Sequence, residues 1–251
     1  MLLAVDRGNT LDKCVVFNNG EIIAHFTEIN RRFNKLICDV SEIIRRFNPT
    51  ECGCIISSVG DKDGEKEFAD NLKPFGKVLT VSADMPLPFY NGYKSQSLGA
   101  DRIAAVAGAE KLYQSNVLVI DAGTCITFDY LGTDKKYSGG SISPGFGIKY
   151  KALHNFTANL PLLDIMDYVD LCGDTTEKSI ASGVINGTLA EIEQTIKNYQ
   201  LRFDNLKTVI TGGDCKFIAG KLSENLDIEV EENLVFWGLK NIYEFNEQKK
   251  S

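Results

Sequence analysis

The chain has 251 residues, 43% hydrophobic and 24% charged, which suffices for one large domain or two smaller ones with proper cores. Its net charge of −7 argues against a general affinity for nucleic acid, and no basic block is dense enough to reverse that. The opening apolar run is too short for a signal peptide, and no window approaches the length of a membrane span.

Residues 2–6, 12–17 and 21–26 are predicted as strands, joined by a tight turn and by the hairpin Asn18-Asn19-Gly20. From Asn34 the period changes, and Leu36, Ile37, Val40, Ile43, Ile44 and Phe47 share one helical face. A buried strand at 53–59, a short helix at 63–75 and a strand at 77–82 follow. Three meandering strands followed by crossovers imply a mixed sheet flanked by helices. The small and aliphatic run from Ile103 is predicted as a tightly packed helix over 102–113, shared as the connection between two lobes, 1–113 and 114–251.

A second copy begins near residue 116. "NVLVIDAGTCITFDYL" is strand, tight turn, strand, and "KYSGGSIS" supplies a third strand. Helices are predicted around 146–156 and over 175–199. "LKTVITGGDCKFIAGKL" reads as strand, glycine turn and helix, and a last strand and helix close the chain. The units "LLAVDRGNT" and "VLVIDAGTC" both end an apolar strand on an aspartate, skip one residue, then place glycine and a small polar group. Both also open a three-strand meander, so duplication explains them better than coincidence.

An aspartate at a strand end, followed by a glycine turn, presents a carboxylate beside several backbone N–H groups. Those N–H groups and the hydroxyls of Thr10 and Thr124 can bind phosphate oxygens. Asp6 and Asp121 can hold a hard cation directly or through water. Gly8 and Gly123 let backbone approach a ligand closely, and Lys13 adds a point charge. The turn "VITGGD" at 209–214 could admit adenosine against bare backbone, though it is unspecific alone. No GxxxxGK[ST] run is present, so the phosphate cradle is not a P-loop. In "SLGADRIAAVAG", Asp101 and Arg102 stand at a helix start behind Gly99. A carboxylate there would complement the helix dipole, and an Asp-Arg pair could be a surface pair.

"DRGNT", "DAGT" and "TGG" resemble the phosphate and adenosine motifs of the acetate and sugar kinase, actin and heat-shock ATPase superfamily. More narrowly, "GADR", "GGSISPGF", "ALHNFTANLP" and "TTEKSIASGVINGT" together resemble type III pantothenate kinases, in an order running from residue 2 to about residue 240. The resemblance implies two ribonuclease H-like lobes, each a mixed five-stranded sheet flanked by helices. It implies transfer of the ATP γ-phosphoryl group to the terminal hydroxyl of pantothenate, the opening step of coenzyme A synthesis, in the cytoplasm.

Carried onto matching positions, Asp101 would be the catalytic base. Tyr93, Gly99, Ala100 and Arg102 would line the pantothenate pocket, and Thr176 would reach pantothenate across a homodimer interface. The ATP turn would comprise Asp6, Arg7, Gly8, Asn9, Thr10, Leu11, Asp12 and Lys13, with Thr124 also on the nucleotide. Mg²⁺ would accompany ATP, and Asp121 would bind the monovalent cation, potassium or ammonium. Three positions depart from the pattern. Arg7 fills a usually aliphatic slot, no proline lies between Tyr93 and Gly99, and Thr175 replaces asparagine beside Thr176.

Within that frame Asp101 and Arg102 read as base and substrate anchor rather than as a cap. Phosphoryl transfer depends on positioning and charge neutralisation, and a carboxylate can accept the hydroxyl proton late. A guanidinium gives an anionic substrate a charge-assisted contact. The seven scattered cysteines point to reduced thiols, and "CGC" at 52–54 lacks the second pair a metal site needs. Trp237 reads as core or interface, His154 as non-catalytic, and the tail from Asn246 as solvated. Competing readings are a kinase for another hydroxylated metabolite and a non-catalytic transcription accessory factor. The presence of Asp101, and the lack of a helix-turn-helix or basic face, weigh against the latter.

Overall fold

The computed structural model describes residues 1–249 except 9, 30–32, 48, 50–51, 59–61, 96, 166–169 and 223–225, and omits the side chains of 33–34, 62–65 and 67. Leu2–Arg7 (β1), Leu11–Asn18 (β2) and Glu21–Ile29 (β3) form the predicted meander. Asn19 and Gly20 both take positive φ at the hairpin, as a two-residue turn between twisted strands requires. Phe33–Phe47 (α1), Gly53–Ser58 (β4), Lys62–Leu72 (α2) and Lys77–Thr80 (β5) complete a sheet of order β3-β2-β1-β4-β5. β1 is central and buried along Leu2–Val5, hence its unbroken apolar run, whereas the edge strand β3 alternates exposed and half-buried positions.

Tyr90–Asn91 (β6) and Ala100–Leu112 (α3) lead to the second copy. Asn116–Ala122 (β7), Cys125–Leu131 (β8), Lys136–Pro144 (β9), Leu206–Thr211 (β10) and Ile228–Val230 (β11) are ordered β11-β10-β7-β8-β9, with β6 added beside the start of β9. Phe146–Asn155 (α4), Thr176–Gln200 (α5) and Cys215–Ala219 (α6) connect them, and Leu234–Gln248 (α7) ends the chain.

The two sheets repeat each other strand for strand. β1 pairs antiparallel with β2 and parallel with β4, and β4 runs parallel to β5. β7 does the same with β8 and β10, and β10 with β11. Asp6 and Asp121 occupy the same place, facing Ser57 and Thr211 on the neighbouring parallel strands.

Two compact units result: residues 1–114, 134–138 and 233–251, and residues 115–133 with 139–232. This division differs from a break after 113 in giving α7 to the first unit. Packing explains it. A Cβ on Gly108 would lie 2.1 Å from the Leu234 carbonyl oxygen, and one on Gly238 would lie 1.7 Å from that of Ala104. α3 and α7 therefore meet backbone to backbone, which is why α3 is built of small residues. Asn241 Nδ2 fastens the crossing by donating to the Ala107 carbonyl at 3.0 Å and to Glu110 Oε2 at 2.8 Å. Trp237 packs on Phe17, ring centroids 5.3 Å apart, in keeping with a packing role.

Candidate active site

In the first unit, β1 delivers Asp6 to the sheet edge where the chain turns at Gly8. The Gly8 N–H closes that turn on the Leu11 carbonyl at 3.1 Å. Arg7 and Asp12 face each other across its neck, and Asp6 faces Lys13. Thr10 is exposed at the tip, and Asn9 lies outside the described residues. The Asp6 carboxyl is pushed up from an ordinary 3.8 to about 6, first by burial and then by the charge of Asp101; the Ser57 hydroxyl and Lys13 oppose the rise. Residues 95 positions apart are thus within electrostatic reach of each other.

Asp101 is the second residue of α3, whose N-cap is Gly99 and makes no side-chain capping bond. Asp101 Oδ1 accepts a hydrogen bond from the Arg102 N–H at 2.8 Å. A Cβ on residue 99 would lie 2.4 Å from that oxygen, so the glycine provides the space the carboxylate occupies. A surface Asp-Arg pair is excluded, because Arg102 is only 6% exposed. Its guanidinium carbon lies 5.5 Å from the centre of the Tyr93 ring, within range of a cation–π contact. Tyr93 is held without the expected proline: its N–H donates to Asn91 Oδ1 at 3.0 Å, and its ring stacks on buried Tyr137 at 6.1 Å. Ala100, the first residue of α3, is buried.

In the second unit, Asp121 is the penultimate residue of β7 and the turn closes one residue sooner, with the Gly123 N–H donating to the Cys125 carbonyl at 2.9 Å. Two further glycine turns abut it. The Gly145 N–H donates to the Thr124 carbonyl at 3.1 Å, and a Cβ there would lie 2.2 Å from the Gly123 carbonyl oxygen. Gly212 has φ +93°, and a Cβ on it would lie 2.3 Å from the Ala122 carbonyl oxygen and 2.5 Å from Asp121 Oδ1. "DAGT" thus lies against both neighbouring turns, with Thr124 beside "SPGF" and Asp121 beside "TGGD", the turn expected for adenosine.

Thr176 is the first residue of α5, and Thr175 is its N-cap, accepting from the Lys178 N–H at 3.3 Å. Threonine and asparagine both serve there, which accounts for the departure at 175. Both threonines line a groove of about 690 Å³ with Leu153, Leu160, Ser179 and Ile180.

The sequence does not mark Ser57 or Tyr137. A serine ending an apolar strand gives little sign of facing a carboxylate, and Tyr137 gains its role only by stacking under Tyr93. His154 Nδ1 lies 2.7 Å from the carbonyl oxygen of Leu160, a residue of that groove. Among the described residues no three His, Cys, Asp or Glu side chains are grouped to hold a metal, and no helix is long and apolar enough to cross a membrane.

The family model described as type III pantothenate kinase matches residues 2–198. A type III pantothenate kinase from Christiangramia forsetii is 40% identical over 248 residues, covering 98% of this chain and 99% of its own. One from Flavobacterium johnsoniae is 36% identical over 247 residues, covering 98% of each. Among solved structures, a conserved putative Baf family transcriptional activator from Campylobacter jejuni superposes with TM-score 0.62 at 21% identity, over 98% of this chain and 99% of that one. A putative 2-dehydro-3-deoxygalactonokinase from Sinorhizobium meliloti gives 0.58 at 13% identity, over 97% and 96%. At such identities these two speak for the fold alone, the duplicated actin-like and sugar-kinase architecture.

Proposed function

The chain belongs to the type III pantothenate kinase family, and on that footing we propose how its residues divide the work of moving the ATP γ-phosphoryl group to pantothenate, which yields 4′-phosphopantothenate for coenzyme A synthesis. The observation that carries the reading is the placement of Asp101 on the first turn of α3, within electrostatic reach of Asp6.

Asp101 accepts the proton of the pantothenate hydroxyl as it attacks. One of its oxygens is occupied by the Arg102 N–H, which fixes the carboxylate's direction. Arg102 and Tyr93 hold the acid. The backbone of Gly8 and Thr10, with Lys13, receives the triphosphate, and Thr124 contacts the nucleotide. Mg²⁺ suits the carboxylate of Asp6, whose raised pKa reflects burial and the repulsion of Asp101. A divalent ion would relieve that repulsion, completing its shell from phosphate and water. Bound there, it would neutralise charge on the transferring phosphoryl group.

Asp121 takes the potassium or ammonium ion, in a turn crowded by backbone carbonyls. The enzyme works as a homodimer in which Thr176 serves the partner's pantothenate.

ADP release is measured with ATP, Mg²⁺ and pantothenate, comparing potassium with sodium. Turnover that requires pantothenate and is faster in potassium supports the reading. Turnover only with another alcohol would reassign the substrate, and nucleotide binding without turnover would favour a regulator.

A further inference from the structure

The duplicated turns differ at one slot whose side chains, though within the expected ATP turn, have so far been given no task of their own. In the second turn the last facing pair before the loop is Ala122 and Ile126, both buried and apolar. The same slot in the first turn holds Arg7 and Asp12. Asp12 is 2% exposed, and Arg7 Nε lies 3.9 Å from its Oδ1, an oxygen with no hydrogen-bond partner among the described residues. The Arg7 guanidinium carbon also sits 5.1 Å from the centre of the Phe68 ring.

An ion pair with a buried acid seldom stabilises a fold more than apolar residues of similar size, and the sister turn shows that apolar residues suit this slot. Fold stability therefore does not account for the charges. Their position does suggest a use. They flank the neck of a loop one residue longer than its sister, and Asp12 adds to the negative charge felt at Asp6.

We propose that Arg7 and Asp12 are positioning residues for the nucleotide: their pairing sets the neck that presents Gly8 and Thr10 to the triphosphate, and Arg7 cancels the Asp12 charge that would repel it. The inference rests on the first turn receiving ATP. Burial pushes the Asp12 carboxyl up while Arg7 holds it down, in line with a pair whose acid depends on its cation.

The deciding variant grafts the sister pair, Arg7→Ala with Asp12→Ile. It is expected to melt no lower than the parent while its KM for ATP rises about tenfold and its KM for pantothenate stays within about twofold. Arg7→Ala alone should melt lower, because it strands a buried carboxylate. Arg7→Lys, which keeps the charge, should recover most of the ATP affinity even if the graft folds poorly.

An unchanged KM for ATP in the folded graft, or no difference between Arg7→Lys and Arg7→Ala, overturns the proposal. So does an equal rise in both KM values. Fluorescent ATP-analogue binding separates this from the kinase reading. A parent that binds the analogue without phosphorylating pantothenate sinks only that reading, and the graft must still bind about tenfold more weakly. A parent that binds no nucleotide sinks both.

Discussion

The two turns that duplication placed at equivalent sheet positions have been completed by opposite means. The first is surrounded by charged side chains: Asp6, Arg7, Asp12 and Lys13 on its own strands, and Asp101 from α3. The matching slots of the second hold Asp121, Ala122, Ile126 and Thr127, a single acid set among backbone carbonyls and the glycines that approach them, with Asp214 entering on the adjoining turn. Charge near the first turn can bind, neutralise and take a proton, and it brings repulsion with it. Close backbone packing around the second turn fixes shape and leaves little to titrate. The difference predicts that side-chain changes at the first turn act on turnover and pH response, while backbone changes at the second act on stability.

The largest effect is expected from Asp101→Asn. Turnover should fall by about 10²–10⁴, the range for losing a general base, while nucleotide affinity is kept. The same change removes the charge that helps raise Asp6, so the Asp6 carboxyl should titrate below about 6, as carboxyl NMR would read. The sign for stability follows. Asp6 binds its proton more tightly folded than unfolded, so it contributes stability below an ordinary 3.8 that is lost as pH rises through about 6. The variant should therefore melt higher than the parent at pH 7.5 and not at pH 3. An active Asp101→Asn enzyme, or an unmoved Asp6, would break the pairing on which the first turn's chemistry depends.

A second test addresses the other turn. Gly212→Ala would place a Cβ 2.3 Å from the Ala122 carbonyl oxygen at a φ of +93°, and strain of that kind should cost about 2–4 kcal/mol. Gly123→Ala, in the "DAGT" turn itself, meets no atom within 4 Å and should change stability by less than about 1 kcal/mol. Urea denaturation distinguishes the two. Equal costs would mean that the second turn is not held by backbone packing.

Local chemistry made the turns legible. Asp-x-Gly after an apolar strand is a signal within a few residues, and the three-strand meanders followed from alternation and the Asn-Gly hairpin. What the sequence hid were matters of partnership. α7 follows β11 directly and so read as part of the second copy, yet it packs in the first unit because Gly238 and Gly108 let two backbones touch. No pattern in either helix names the other. The two residues of β6 carry no period at all, and they are a strand only because β9 pairs with them. Asp6 and Asp101 are similar: spacing alone could not join them, and the resemblance to a kinase family did. That resemblance supplied roles, whereas the departures at Arg7 and Thr175 needed coordinates before Asp12 and the Lys178 N–H gave them reasons.

The smallest expected effect tests the same contrast where α5 begins. Thr175 accepts the Lys178 N–H at 3.3 Å as the helix N-cap, a backbone-satisfying role like those around Gly145 and Gly212. Asparagine caps at least as well as threonine and alanine does not. Thr175→Asn should thus leave the melting temperature and the pantothenate KM within error of the parent. Thr175→Ala should cost about 1 kcal/mol, with a pantothenate KM raised modestly because the adjoining Thr176 sits on the turn that the cap organises. If Thr175→Asn improved the KM severalfold, position 175 would be touching substrate itself, and its side chain would belong with the ligand-facing charges of the first turn rather than with the backbone supports of the second.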